Sequence, residues 1–256
     1  MFEGKTAIVT GGARGIGAAT AELLASGGAR VVLSDVDADA ARATAASIDG
    51  EVTVHAGDLT RDGEPEALVA TAIDAFGRLD VVVNNAGSTR DAPLHKLDDD
   101  AFQAMLDIHT VVPFRVLRAA APHLREPAKR ERAEGREVMR KVVNVSSGAG
   151  TMGNAGQANY AAAKAGVVGL TKTLAKEWGR FSVNVNAVAF GLIETRLSAA
   201  IPEQARAGLA SAVSLGRPGT VQEAAGAIGF LCSPWSDYVT GQVLNVNGGI
   251  QFGMAA

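Results

Sequence analysis

Tyr160 and Lys164 stand four residues apart in Tyr160-Ala161-Ala162-Ala163-Lys164. In a helix that spacing puts both side chains on one face, and the stretch running to about Trp178 reads as helical. The pair suits redox chemistry at a carbinol or ketone. When a hydride leaves or joins the carbon, a proton must leave or join the oxygen, and a phenol can carry it. An unperturbed tyrosine has a pKa of about 10. A nearby ammonium and a positive nicotinamide ring are expected to favour the phenolate and lower that value. The long lysine side chain also reaches ribose hydroxyls. Such a pair can equally mark an ordinary amphipathic helix face, so its neighbours decide. Upstream, Val143-Asn144-Val145-Ser146-Ser147 closes an apolar run. A serine hydroxyl there would hold the substrate oxygen and donate a hydrogen bond as charge develops. Residue types alone leave Ser146 and Ser147 open.

A second set of residues suits a dinucleotide. Thr10-Gly11-Gly12-Ala13-Arg14-Gly15-Ile16-Gly17 follows the first apolar run and opens a helical stretch. Glycines let the backbone turn tightly and approach a pyrophosphate. The helix N-terminus offers free N–H groups to the phosphates. Asp35 lies 18 positions past Gly17, where an acid meets the adenosine ribose. A carboxylate there accepts from both ribose hydroxyls and repels a 2′-phosphate, which favours NAD over NADP. Arg14 is the counter-signal, since an arginine could accept that phosphate.

These residues need a frame to hold them. Apolar, valine-rich runs recur at residues 6–10, 30–35, 52–58, 79–84, 141–146, 183–189 and 242–246. They are continuous rather than alternating, as in strands buried on both faces. Helical stretches separate them. The expected fold is therefore α/β: one Rossmann-type, doubly wound parallel sheet of about seven strands, with helices on both faces and residues 1–256 as one domain. Residues 125–141 break the rhythm with dense charge and read as a solvated helix extension.

Composition narrows the classes. The chain has 256 residues, 24 Lys+Arg against 27 Asp+Glu, and 47% hydrophobic residues. That excludes disorder and disfavours a nucleic-acid surface. No apolar run is long enough to span a membrane, and the first residues do not read as a signal peptide. The single cysteine, Cys232, allows no internal disulfide, which fits a reducing, cytoplasmic setting. His55, His95, His109 and His123 lack metal-site spacing, so no metal is expected. Trp178 and Trp235 read as core or interface. Glycine supplies 30 residues, a share well above the usual ~7%.

The motifs together resemble the short-chain dehydrogenase/reductase family over nearly the whole chain. Residues 10–17 match the family's cofactor loop, which assigns Gly11, Arg14, Gly15, Ile16 and Gly17 to the cofactor. Asp58, followed by Leu59, matches the acid at the adenine. Asn84-Asn85-Ala86-Gly87 matches the motif after the fourth strand. Tyr160 and Lys164 match the catalytic pair. Ser147, thirteen positions before Tyr160, falls where the family has its catalytic serine. Gly191, Ile193 and Thr195 match the stretch at the nicotinamide carboxamide. Two positions depart. Phe190 stands where the family has proline. His109 stands where it has an asparagine that holds a relay water, and an imidazole could keep that relay.

The run from Gly153 to Tyr160 is similar to the 3-oxoacyl-[acyl-carrier-protein] reductases. With His109 it is also similar to (3R)-hydroxyacyl-CoA dehydrogenases. The resemblance implies NAD chemistry on a 3-oxoacyl or 3-hydroxyacyl thioester carried by CoA or acyl-carrier protein. It also implies a homotetramer and a helical substrate lid near residues 195–215. Two other readings stand beside it: an enzyme of another secondary alcohol or ketone, such as a steroid or sugar, and a nucleotide-binding regulator without catalysis.

Overall fold

The structure, a computed structural model, describes residues 1–199 and 203–250. In chain order the elements begin β1 (Thr6–Thr10), α1 (Gly15–Ser26), β2 (Arg30–Asp35), α2 (Ala38–Ser47), β3 (Val52–Ala56), α3 (Glu64–Phe76) and β4 (Val81–Asn84). They continue with α4 (Asp99–Leu106), α5 (Val112–Ala133), β5 (Arg140–Ser147), α6 (Gly148–Met152), α7 (Ala158–Trp178) and β6 (Val183–Phe190). The last are α8 (Arg196–Ala199), α9 (Glu203–Ser211), α10 (Val221–Cys232) and β7 (Val243–Val246). All seven apolar runs are strands, and every pairing is parallel, in the order β3-β2-β1-β4-β5-β6-β7. The run at 52–58 stops at Ala56, because Asp58 turns the chain by accepting from the Thr60 N–H at 3.1 Å.

The valine runs follow from burial on both faces. In β1, Ala7 and Val9 face a core shared with α1, α2 and α10. Ile8, between them, faces a second core with α3, α5 and α7. Both faces of the sheet thus remove apolar area from water, the main drive for the fold. The chain leaves β1 toward β2 and β3, then returns to β4 on the other side of β1. This reversal is the switch point of the sheet, and in such sheets ligands bind there, outside the carboxyl ends of the strands.

The charged stretch at 125–141 differs from its solvated reading. Helix α5 does carry on to Ala133, but Arg140 and Lys141 enter β5 at 2% and 3% exposure. Each has a partner waiting. Arg140 donates twice to Glu131, at 2.7 and 3.1 Å. Lys141 donates to Asp237 at 2.6 Å and to Asn184 at 2.9 Å. Charge density marked the segment as surface, whereas pairing across elements let its last two cations go inside. Arg140→Ala leaves the Glu131 carboxylate without its partner. It should cost about 3–5 kcal/mol in urea unfolding, and a second change of Glu131 to Leu should recover much of that. The two tryptophans also part company: Trp178 is core, whereas Trp235 is 73% exposed.

Candidate active site

The phosphate loop is held from behind. Thr10 Oγ1 accepts from the N–H groups of Asn85 and Ala86, both at 3.0 Å. The Asn85 amide donates back to the carbonyls of Thr10 and Gly11, at 2.9 and 3.1 Å. Asn85 therefore ties the loops after β1 and β4 together. Gly17 must lack a side chain, since a Cβ would lie 2.1 Å from the Gly11 carbonyl oxygen. Gly15 takes φ +56 at the start of α1, with Thr195 across from it.

The residues fit a dinucleotide. Helix α1 begins with no side-chain cap and no acid in its first turn. Its N–H groups and positive end are available to an anion. Asp35 ends β2 and accepts from the Ala13 and Asp37 N–H groups, each at 3.1 Å. Its carboxylate is thereby fixed beside the loop. Arg14 is already engaged, donating to Asp37 at 2.7 Å. Asp58 and the buried Leu59 lie past β3, further along the same edge of the sheet. Ile193 is buried and bridges to Gly219. Thr195 accepts the Ser198 N–H at 3.2 Å at the start of α8. Gly191 answers to packing, since a Cβ there would meet Asn247 Cα at 2.8 Å.

At this end of the sheet, β5 and α7 bring three predicted side chains together: Ser147, Tyr160 and Lys164. Ser147 ends β5 and caps α6, its hydroxyl accepting from the Ala149 N–H at 3.2 Å. Its own proton is left for a second partner, and the Tyr160 phenol is within reach. Ser146 is committed elsewhere, donating to the Lys164 carbonyl at 3.0 Å. The resemblance points to Ser147, whose hydroxyl, unlike that of Ser146, is not spent on a backbone carbonyl. Lys164 is 4% exposed and donates to the Val145 carbonyl at 2.6 Å. Its Nζ lies 5.7 Å from the centre of the Tyr160 ring.

In the free protein burial governs titration at this site. Burial pushes the Tyr160 phenol up to about 12, the Ser147 hydroxyl pulls it back, and the Asp91 charge adds to the rise. Lys164 is itself lowered by burial to about 7. An ammonium so desolvated, and turned to a carbonyl, does little to hold a phenolate in the free protein.

His109 sits in a π-helical turn, Asp107–Val111, between α4 and α5. Its ring is buried and meets Tyr160 edge-on, with centroids 5.0 Å apart. His109 Nε2 lies 2.7 Å from the Ser88 carbonyl. A carbonyl accepts, so Nε2 carries the proton. Nδ1 is then a bare lone pair, buried without a partner. Burial and the Lys164 charge push the imidazole down to about 2, so it stays neutral. Gly87 makes room for it, since a Cβ there would lie 2.3 Å from the ring.

Sequence reasoning passed over several positioning residues. Asn159 is fully buried and joins three segments. Its amide donates to the Arg90 and Ala101 carbonyls at 2.9 and 3.3 Å, and its carbonyl accepts from the Tyr160 N–H at 2.8 Å. Asn84 donates to Asn144 at 2.8 Å, and Asn144 donates to Thr171 at 2.9 Å. These bonds knit β4, β5 and α7 under the site. Asparagines inside otherwise apolar runs were the available signal.

A family model described as enoyl-(acyl carrier protein) reductase matches residues 11–251. The chain belongs to the short-chain dehydrogenase/reductase family. It is an oxidoreductase working with a nicotinamide cofactor. A 3-oxoacyl-[acyl-carrier-protein] reductase of Vibrio cholerae is 41% identical over 249 residues, 97% of this chain and 98% of the relative. The same enzyme of Thermotoga maritima is 40% identical over 252 residues, with the same shares covered. Two solved structures of the family match with a TM-score of 0.89. Levodione reductase is 32% identical and covers 97% of this chain and 98% of its own. A 3-ketoacyl-(acyl-carrier-protein) reductase from Brucella melitensis, complexed with NADH, is 30% identical and covers 97% and 99%. Among the described residues no helix is long and apolar enough to cross a membrane. Nor does any group of three His, Cys, Asp or Glu among them offer a metal site.

Proposed function

We propose that the protein is an NAD-dependent oxidoreductase acting at C3 of 3-oxoacyl or 3-hydroxyacyl thioesters. The observation that carries the reading is the convergence of Ser147, Lys164 and His109 on Tyr160, in the same sheet whose β2 ends in the fixed Asp35 carboxylate. When bound, the nicotinamide supplies or accepts the hydride. Ser147 donates a hydrogen bond to the substrate oxygen, keeping its proton, and sets the oxygen's place. Tyr160 gives that oxygen its proton in reduction and takes it in oxidation. Lys164 binds ribose hydroxyls and connects Tyr160 to proton exchange with solvent. His109, held in one tautomer by Ser88, offers its Nδ1 lone pair as an acceptor on that route. It positions a proton carrier without taking up a proton itself.

Three of the four relatives named above support the substrate class, being named 3-oxoacyl- or 3-ketoacyl-(acyl-carrier-protein) reductases. Asp35 supports NAD: a carboxylate pinned by two backbone N–H groups matches ribose hydroxyls and repels a 2′-phosphate. The chain around α8 and α9 supports a lid, because it borders a cavity of about 640 Å³ lined by Leu192, Thr195, Ser198, Arg206 and Pro218. Residues 200–202 of that expected lid lie outside the described residues. The homotetramer and the cytoplasmic setting belong to the same proposal.

The test is a panel of acyl-CoA, acyl-carrier-protein, cyclic ketone and steroid substrates, run in both directions with NADH and NADPH. A 3-oxoacyl thioester should give the highest kcat/KM, and NADH should bind more tightly than NADPH. Preference for a cyclic ketone would instead favour a second reading. The likeness to levodione reductase, and Phe190 in the place of the family's proline, support that one. Any alcohol that reduces NAD at an enzymatic rate rejects a purely regulatory role.

A further inference from the structure

Arg14 stands in the phosphate loop one residue before α1, where its guanidinium could meet the adenosine 2′ position. The residue before it, Ala13, is held at both its N–H and its carbonyl. The Ala13 N–H donates to Asp35, and the Ala13 carbonyl accepts from Thr44 Oγ1 at 2.7 Å. With its base so fixed, the direction of the side chain is set by what it meets, and it meets Asp37 at 2.7 Å. Asp37 serves twice. One oxygen caps α2 by accepting the Ala40 N–H at 3.1 Å, and the other holds Arg14. Each partner is shifted by the other: Arg14 holds the Asp37 carboxyl below its ordinary range, and Asp37 raises the guanidinium.

We propose that Asp37 is a specificity-determining residue that sequesters Arg14 and so denies NADP its phosphate partner. The inference rests on the NAD preference proposed above. Asp35 excludes the 2′-phosphate by repulsion, and Asp37 withholds the one cation of the phosphate loop that could offset that repulsion. The two acids therefore act on different terms of the same discrimination. Asp37 is a switch in principle, because removing it both deletes a negative charge and frees an arginine already in place.

The test is equilibrium titration of NADH and NADPH, read by fluorescence, with no turnover needed. Four proteins are compared: the parent, Asp37→Ser, Arg14→Ala and the double variant. Serine preserves the α2 cap and is too short to hold Arg14. Asp37→Ser should tighten NADPH by about fivefold and leave NADH nearly unchanged. In the Arg14→Ala background the same change should tighten NADPH far less. An equal gain in both backgrounds would overturn the proposal, because charge removal alone would then explain it. No gain in either background overturns it too. Asp37→Asn, which also caps, guards against local misfolding: it should shift NADPH binding in the same direction. A parent protein that binds NADPH as tightly as NADH overturns the NAD preference itself. The coupling between Asp37 and Arg14 is still read separately from the four-protein comparison.

Discussion

Tyr160→Phe should lower kcat by about 10²- to 10⁴-fold while NADH binding stays at the parent level. The change removes one oxygen and keeps the ring that packs edge-on against His109, so the fold is retained. Single-turnover kinetics and a cofactor titration check both halves. Turnover near the parent level would sink the role given to the phenol. The parent protein should also show an asymmetry in pH. In the free protein the phenol is pushed up to about 12 and holds its proton through neutral pH. Reduction of a ketone, which needs that proton, should be flat across neutral pH in kcat/KM. Oxidation, which needs the phenolate, should climb as the solution becomes alkaline.

Lys164→Met should lose activity and gain stability together. Moving the lysine pKa from 10.5 to about 7 corresponds to a burial cost of up to about 5 kcal/mol. Loss of the hydrogen bond to Val145 returns about 1–3 kcal/mol. A net gain of about 2 kcal/mol is expected at pH 7 by urea unfolding. The pH dependence has a definite sign. The unfolded chain keeps this proton up to 10.5, whereas the folded chain releases it near 7. Between those values the unfolded state binds more protons, so parent stability from this group rises with pH. The advantage of the methionine variant is therefore full at or below pH 7 and fades toward pH 10.5. Turnover should fall by about 10²-fold or more. A variant that loses activity and also loses stability would contradict the view that Lys164 is kept for function at a cost to the fold.

The frame was legible for a physical reason. A strand covered on both faces has little choice but valine and its like, so β1 and β2 could be read to the residue. The glycine loop was legible because close backbone approach excludes a Cβ. What stayed hidden depends on partners distant in sequence. Arg140 and Lys141 look like surface until Glu131 and Asp237 are seen beside them. Ser146 gives its proton to the Lys164 carbonyl, a partner that residue types cannot announce. In the free protein the Tyr160 phenol lies above its ordinary value, because desolvation outweighs the nearness of Lys164, whereas the expected lowering also counts the charge of a bound nicotinamide. Asn159, quoted as part of a motif, proved to bind three segments through one amide.

The widened turn at Asp107–Val111 keeps two helix phases apart. Each residue of a regular α-helix advances the face by about 100°. The turn adds a residue between α4 and α5, so the side chains before and after it keep separate phases. Val116 and Leu117 face the core while His109 faces Tyr160. A one-residue deletion here would leave the composition almost untouched and restore an ideal helix. It would also force a choice between two correct phases, since a single regular spiral could not serve both. A one-residue deletion at this turn should therefore disturb the site or the core, whereas His109→Asn keeps both phases.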